Sequence, residues 1–313
     1  MAVKKQSVSD FPHPCENPAL VGHDDFIASF TAAWAAREKY PIHHAWIISG
    51  PRGIGKATAA YGLARIILGG ANDAAAVAKM RDGGFGDFFV IDLDHNIDKD
   101  GRPKPDSKEI SVYTIRALIE KLQKTSLTGA WRVVLVDALD ELNRNAANAF
   151  LKILEEPPEK TIFLMPTHRL AVVLATLRSR SRVEKLRPLT NAQLRTLWGR
   201  FLPDDDLSAE LLKISGGCFG RLGAMKRSGA DELFLDLTAL CKNKNSTPAD
   251  ALALAGRIAK SPDNFGIFCD AAANFGLADL YSEISADLRM MNSVNLNPES
   301  TAFRLIGKLK KCL

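Results

Sequence analysis

The chain has few cysteines for its length of 313 residues, and no long apolar run. Its five cysteines are an odd number, lie far apart and form no C-x-x-C pair, so neither a disulfide framework nor a zinc or redox motif is indicated. No stretch approaches the roughly 20 apolar residues that cross a bilayer, and the first residues have no apolar leader core. We therefore expect a cytoplasmic protein with reduced thiols and no membrane partner. The cysteines are Cys15, Cys218, Cys241, Cys269 and Cys312.

The chain also has only a small excess of charge of one sign. The 41 basic residues are nearly balanced by 36 acidic ones, which leaves a net charge of +5. This balance weakly favours polyanionic partners, but it does not by itself indicate DNA binding. The apolar content of 46% is that of an ordinary globular protein, and the length exceeds what one hydrophobic core usually holds. Two or three domains are expected.

The first half of the chain alternates short apolar runs with longer segments of helical character. This alternation is typical of a parallel α/β sheet. Helices are predicted from Gly55–Lys56 to about Leu68 and over Asn145–Glu155, where Pro157 and Pro158 stop the second one. The predicted strands are Ala45–Ser49, Phe88–Leu93, Val133–Val136 and Thr161–Met165.

Beyond residue 187 the strand-like runs end and amphipathic helical stretches replace them. Examples are Ala192–Arg200, Ser208–Ser215 and Pro248–Lys260. We predict three domains: an α/β core at 1–187, a small helical domain at 188–229 and a second helical domain at 230–313.

A phosphate-binding loop is indicated at 50–56, where the sequence reads GPRGIGK. Gly50, Gly53 and Gly55 let backbone N–H groups surround a phosphate, and Lys56 adds a full positive charge at the start of a helix. The alternative is a tight strand-to-helix turn with no ligand. The position of the motif between a strand and a helix favours the phosphate loop.

Two residues that nucleotide hydrolysis requires are missing. The residue after Lys56 is normally Ser or Thr, whose hydroxyl ligates magnesium, and here it is Ala57. Thr58 does not replace it, because one residue along a helix rotates the side chain by about 100°. Asp137 follows an apolar strand as a magnesium acid would, but Ala138 stands where a glutamate normally activates the attacking water.

A different register would make Asp140 and Glu141 the acidic pair. The residues before Asp140 are not an apolar strand, however, and this register would bury Asp137 inside the sheet. We therefore assign the acid to Asp137.

Three segments together resemble the bacterial clamp-loader subunits of DNA polymerase III, which belong to the AAA+ superfamily, and the delta prime type most closely. They are residues 43–57, residues 137–157 with the run NAFLKILEEP, and residues 174–181 with the run LATLRSRS. The resemblance covers roughly residues 20–225. It implies an AAA+ core, a helical lid at 188–229 and a helical collar for oligomerisation at 230–313.

The resemblance also implies roles for particular residues. Arg180 matches an arginine finger that reaches the γ-phosphate held by the next subunit, with Ser181 in place of the family's cysteine. Thr167 matches the sensor 1 position, and Arg221 matches the sensor 2 arginine of the lid. The four-cysteine zinc module of related ATPase subunits is missing, so zinc is not predicted. No cofactor is required, although ATP or ADP binding is compatible with the loop.

Two charged features allow a plainer interpretation. Arg178, Arg180, Arg182, Lys185 and Arg187 would form a solvated basic edge if the resemblance were set aside. The two carboxylates at 155 and 156 end a predicted helix, where the macrodipole disfavours negative charge by a few tenths of a kcal/mol to about 1 kcal/mol. Either an electropositive neighbour or simple solvation accounts for them.

The leading hypothesis is a non-hydrolysing stator that lends Arg180 to a neighbouring ATPase subunit while the sliding clamp is loaded on primed DNA. Its partners would be the clamp-loader ATPase subunits and the delta subunit, with the clamp and DNA reached through the complex. One alternative is an active AAA+ ATPase, as a motor subunit or helicase loader, which Lys56 and Asp137 support and Ala57 and Ala138 oppose. Another is a DNA-binding protein that acts alone.

Overall fold

The computed structural model describes residues 11–17, 20–70, 74–104, 106–123, 131–294 and 296–312. The chain divides into two compact units. One comprises Pro12–Gln193, and the other comprises Leu194–Leu313 and also includes Phe11. The predicted separation of a lid at 188–229 from a collar at 230–313 stays a prediction.

A parallel sheet forms the centre of the first unit, as predicted, and it has five strands, of which four were predicted. Its order is β2-β3-β4-β1-β5, so β1 lies between β4 and β5. Every residue of β1, β3 and β4 is buried, which explains why the central strands read as apolar runs. The strands are β1 Ala45–Ser49, β2 Phe88–Ile91, β3 Arg132–Val136, β4 Thr161–Thr167 and β5 Arg182–Lys185.

Strand β5 was not predicted from the sequence, which was interpreted there as a solvated basic segment. The strand pairs with β1 alone and forms one edge of the sheet. Its sequence, RVEK, has no apolar run because its outer side chains remain exposed. Arg182 is not simply solvated: its guanidinium lies 4.5 Å from the centre of the Trp46 ring and its Nε donates to Glu184 at 2.8 Å.

Six α-helices accompany the sheet within the described part of this unit. The two that were predicted, α2 and α5, are confirmed to within one residue at each end. Helix α5 begins after Asn143, whose side chain accepts from the Ala146 amide at 2.8 Å and so caps the helix. The helices are α1 Asp24–Ala35, α2 Lys56–Ile67, α3 Ala74–Arg81, α4 Val112–Gln123, α5 Arg144–Glu155 and α6 Ala175–Arg178.

The second unit is helical. Phe11 packs there against Phe201 and Phe219, with ring centres 5.9 and 5.7 Å apart. None of the helices in the described ranges is both long and apolar enough to span a membrane. The helices, of which the first begins in the preceding unit, are α7 Asn191–Phe201, α8 Ala209–Ser215, α9 Phe219–Ser228, α10 Ala230–Lys242, α11 Pro248–Ile258, α12 Gly266–Phe275, α13 Ala278–Val294 and α14 Pro298–Lys311.

The α/β core is packed between the sheet and helices such as α5. Phe150 of α5 and Phe163 of β4 are both fully buried, and their rings meet edge to face with centres 5.6 Å apart. We expect Phe150→Ala to lower the free energy of unfolding of this unit by about 3–5 kcal/mol, because it removes buried area and leaves a cavity. Urea unfolding measures this change. Val172→Ala, at a residue 55% exposed in the same unit, should change it by less than about 0.5 kcal/mol.

Candidate functional site

The carboxyl ends of three parallel strands bring the predicted site residues to one edge of the sheet. Ser49 at the end of β1 is in register with Thr167 at the end of β4, and the Gly50 amide donates to the Thr167 carbonyl at 3.3 Å. Strand β3 ends at Val136, so Asp137 is the first residue beyond the buried strand, as the chosen register requires. Open α/β sheets bind ligands at this edge.

The backbone of the phosphate loop depends on its glycines. A Cβ atom on Gly50 would lie 2.5 Å from Ile54 Cδ1 and 2.9 Å from the Leu186 carbonyl oxygen. Gly55 has φ +98° at the N-cap of α2, a conformation that strains other residues. The glycines at these two positions therefore serve the loop's own packing as well as any ligand.

Lys56 is directed into the loop. It is 3% exposed, and its Nζ donates to the Gly50 carbonyl at 2.8 Å and to the Pro51 carbonyl at 2.7 Å. A second side chain, His23, makes a hydrogen bond with the Ile54 carbonyl at 2.8 Å through its Nε2. These contacts hold the loop carbonyls in place from within the same unit.

The two alanines that replace hydrolytic residues lie at the site itself. Ala57 is the second residue of α2, and Ala138 is 2% exposed next to Asp137. Thr58 lines a small cavity of about 40 Å³ together with Leu20 and Ile27. Methyl groups therefore stand where a hydroxyl would ligate magnesium and a carboxylate would activate water, and the donor set fits a phosphate better than a magnesium ion.

Asp137 has a perturbed acidity. Burial raises the pKa of its carboxyl to about 6, and the nearby negative charge of Glu141 adds to the shift. Lys56 opposes the shift, but the net effect is a carboxyl that holds its proton more strongly than a solvated aspartate. Asp92 and Arg52 contribute smaller effects of opposite sign.

Asp140 has a structural role that the sequence did not reveal. It accepts from the Thr167 hydroxyl at 2.9 Å and from the His168 amide at 2.8 Å, and Arg169 pairs with it at 3.3 Å. Burial alone would raise the pKa of Asp140, but these donors lower it on balance. The Thr167 hydroxyl, predicted as sensor 1, is thus directed to Asp140, and its nucleotide role stays a prediction.

Arg221, the predicted sensor 2 residue, lies in α9 of the helical unit. There it forms an ion pair with Asp270 of α12. Burial raises the pKa of Asp270, and the charge of Arg221 opposes that rise. This contact gives Arg221 a role inside its own unit, while its predicted contact with nucleotide stays a prediction.

Arg180 lies on the turn between α6 and β5. Its Nη2 pairs with Glu155 at 2.8 Å, and its side chain remains 38% exposed. Ser181, which replaces the family's cysteine, donates its hydroxyl to the Leu177 carbonyl at 2.8 Å. The electropositive neighbour considered for the end of α5 is therefore Arg180 itself. The sequence alone could not pair the two residues, since 24 residues of chain, including strand β4, lie between them.

No group of three His, Cys, Asp or Glu side chains comes together as a metal site anywhere in the described ranges.

Comparison with known proteins gives a consistent assignment for most of the chain. Residues 26–190 match the family described as DNA polymerase III, delta subunit. A DNA polymerase III subunit delta' from Pseudomonas aeruginosa is 31% identical over 239 residues, which cover 72% of this chain and 70% of that protein. The corresponding subunit from Yersinia pestis is 34% identical over 145 residues, 44% of this chain and 40% of that protein.

Two further matches are to proteins whose names refer to other DNA polymerase III subunits. The tau subunit of Escherichia coli DNA polymerase III is 28% identical over 180 residues, which cover 54% of this chain and 25% of that protein. Among solved structures, a DNA polymerase III gamma subunit-related protein from Thermotoga maritima aligns with a TM-score of 0.48 at 17% identity, covering 90% of this chain and 98% of that chain.

Asp137 and Asp140 should affect stability in opposite directions as pH changes. The raised pKa of folded Asp137 means that its favourable contribution is complete below about pH 4 and is lost as pH rises through about 6. We expect Asp137→Asn to raise the free energy of unfolding by about 1–3 kcal/mol at pH 7–8, with the difference vanishing below pH 4. Urea unfolding at several pH values measures it.

Asp140→Asn is the matched comparison. The lowered pKa of Asp140 gives a contribution that is present above the unfolded value near 4 and is lost as pH falls. This variant should therefore lose stability at neutral pH by about 1 kcal/mol, since charge-assisted hydrogen bonds become neutral ones. Equal effects of both substitutions at pH 7 would contradict the assigned environments.

Proposed function

The chain belongs to the DNA polymerase III delta-subunit family, which comprises clamp-loader proteins of the AAA+ type, and on that premise we propose that it is a non-hydrolysing stator of the clamp loader. In this role it is a delta prime subunit that binds neighbouring ATPase subunits and the delta subunit. It lends Arg180 to one ATPase neighbour while the sliding clamp is loaded on primed DNA.

The observation that carries the stator assignment is a complete phosphate loop at 50–56 that is followed by Ala57, together with Ala138 after the acid Asp137. Hydrolysis needs a metal held against the phosphates and a water deprotonated for attack. With Ala57 the metal lacks its hydroxyl ligand, and with Ala138 the attacking water lacks its base, so two independent requirements of hydrolysis are unmet. Phosphate binding needs neither residue, and the proposal therefore allows ATP or ADP to bind without turnover and requires no zinc.

The isolated chain should show no ATP turnover above background. A rate of about 1 per second, which is ordinary for an enzyme, would contradict the stator assignment and favour an active ATPase. Steady-state phosphate release at saturating ATP and magnesium is the measurement. Lys56→Ala is the control, because turnover from a contaminating ATPase persists in this variant, whereas turnover at this loop is lost.

The support for Arg180 comes from chemistry and position. A guanidinium stays charged at all relevant pH values and donates in a planar fork that matches phosphate oxygens. Arg180 lies at the surface, with part of its side chain open to a neighbouring molecule. Buried or fully engaged arginines, such as Arg65 at 1% exposure, have no such access.

Arg180→Ala should abolish the contribution of the neighbouring ATPase site in the reconstituted complex. Loss of an arginine finger lowers turnover by about 10³-fold or more at the affected site. The readout is the DNA- and clamp-stimulated rate of phosphate release, with thermal unfolding of the isolated chain to establish that the fold is kept. An unchanged stimulated rate removes the proposed role.

Arg178→Ala is the matched control. Arg178 lies two residues away, ends α6 and forms no ion pair with the rest of the described chain. If the segment acted only through its total positive charge, both substitutions would lower the rate equally. The finger assignment requires a large effect at 180 and a change of less than about two-fold at 178.

A further inference from the structure

Glu155 and Arg180 form an ion pair across the surface of the α/β unit. Glu155 is the last residue of α5, and its Oε1 lies 2.8 Å from Nη2 of Arg180. The two side chains are 47% and 38% exposed. The pair therefore lies where a neighbouring molecule can reach it.

Glu155 is placed where its charge is disfavoured by its own helix. The last turn of an α-helix presents unpaired carbonyl groups and a partial negative charge, which repel a carboxylate. The partner charge of Arg180 offsets this repulsion. Glu156, the next residue, has no ion-pair partner within the described ranges, so only one of the two adjacent glutamates is engaged in this way.

The guanidinium of Arg180 is held on two sides. Its Nη1 donates to the Thr176 carbonyl at 3.2 Å and approaches Ser179 Oγ at 3.5 Å, which ties that nitrogen to its own backbone. Its Nη2 faces Glu155. A phosphate that approaches Nη2 would meet the Glu155 carboxylate, and two anions at one nitrogen repel each other.

We infer that Glu155 is a positioning residue that holds Arg180 against its own subunit until a more highly charged phosphate displaces it. The inference rests on the proposed finger role of Arg180. When Arg180 engages the neighbour's nucleotide, its Nη2 must exchange the Glu155 carboxylate for the γ-phosphate. A carboxylate carries one negative charge, whereas a γ-phosphate carries more. A correctly placed phosphate therefore binds the guanidinium more strongly than Glu155 does and displaces it.

The expected size of the effect follows from the exposure of the pair. An ion pair of this kind shifts an equilibrium by about 1.5- to 5-fold, more at low salt than at high salt. Glu155 therefore acts as a weak restraint that a bound nucleotide overcomes, and its removal should make the finger easier to engage without changing what the finger does once it is engaged.

The test uses Glu155→Gln in the reconstituted clamp-loader complex at low salt. Glutamine keeps the size of the side chain and removes its charge. We expect the ATP concentration for half-maximal turnover to fall by about 1.5- to 5-fold while the maximal DNA- and clamp-stimulated rate stays the same. Glu156→Gln removes the same charge one residue away and should leave both values unchanged.

Combining substitutions separates this inference from the finger assignment. Glu155→Gln with Arg180→Ala should behave like Arg180→Ala alone, because a restraint has no effect once the restrained group is gone. Glu155→Asp, which keeps the charge on a shorter arm, should give an intermediate shift. Thermal unfolding of each isolated chain shows whether a lower rate reflects lost structure.

Two outcomes would overturn the inference while leaving the finger role intact. One is an unchanged ATP dependence in Glu155→Gln when Arg180→Ala still lowers turnover. The other is an equal shift in Glu156→Gln, which would mean that general charge, not the ion pair, is responsible. If Arg180→Ala itself leaves the stimulated rate unchanged, it is the proposed function that fails.

Discussion

The parallel register of β1, β3 and β4 is the constraint on which the rest of the site depends. Because parallel strands end at the same edge, the residues that follow them are brought together whatever their distance along the chain. Gly50 and Asp137 are 87 positions apart in sequence, yet each follows a buried strand at this edge. Thr167, at the end of β4, joins them through the hydrogen bond from the Gly50 amide.

That edge also concentrates charge in a partly buried place. Lys56, Asp137 and Glu141 influence one another there, and the pKa of Asp137 rises because burial outweighs the attraction of Lys56. Asp140 is three residues further on but has the opposite shift, since it accepts several hydrogen bonds. Two neighbouring aspartates thus differ through their donors and their burial, not through their positions in sequence.

Much of the fold could be predicted because buried parallel strands have a simple sequence pattern. Strands β1, β3 and β4 are continuous apolar runs, and helices α2 and α5 are bounded by a glycine-rich loop and by prolines. Strand β5 was missed because an edge strand has one neighbour and needs no apolar run. Its residues are charged, and the sequence pattern of a charged edge strand does not differ from that of a solvated segment.

The site was predicted less completely, for a related reason. The motif residues could be identified individually, but ion pairs and hydrogen bonds between distant segments depend on how the chain folds. Nothing near Glu155 in sequence indicates Arg180, and nothing near Asp140 indicates the Thr167 hydroxyl. The glutamates at the end of a helix were consistent with either a nearby cation or simple solvation, and the sequence did not identify the cation.

The contacts of Lys56 also explain how a phosphate loop is kept intact in a chain that lacks the groups for hydrolysis. Its ammonium is almost fully buried and donates to two carbonyls of the loop, so the residue stabilises the turn whether or not a nucleotide is bound. Removing it would take away both hydrogen bonds, at a cost of about 0.5–1.5 kcal/mol each. The glycines serve the same turn, since a side chain at Gly50 would collide with Ile54 and with the Leu186 carbonyl. The requirements of the fold therefore account for Gly50 and Lys56, while the residues that hydrolysis alone requires, at 57 and 138, are the ones replaced by alanine.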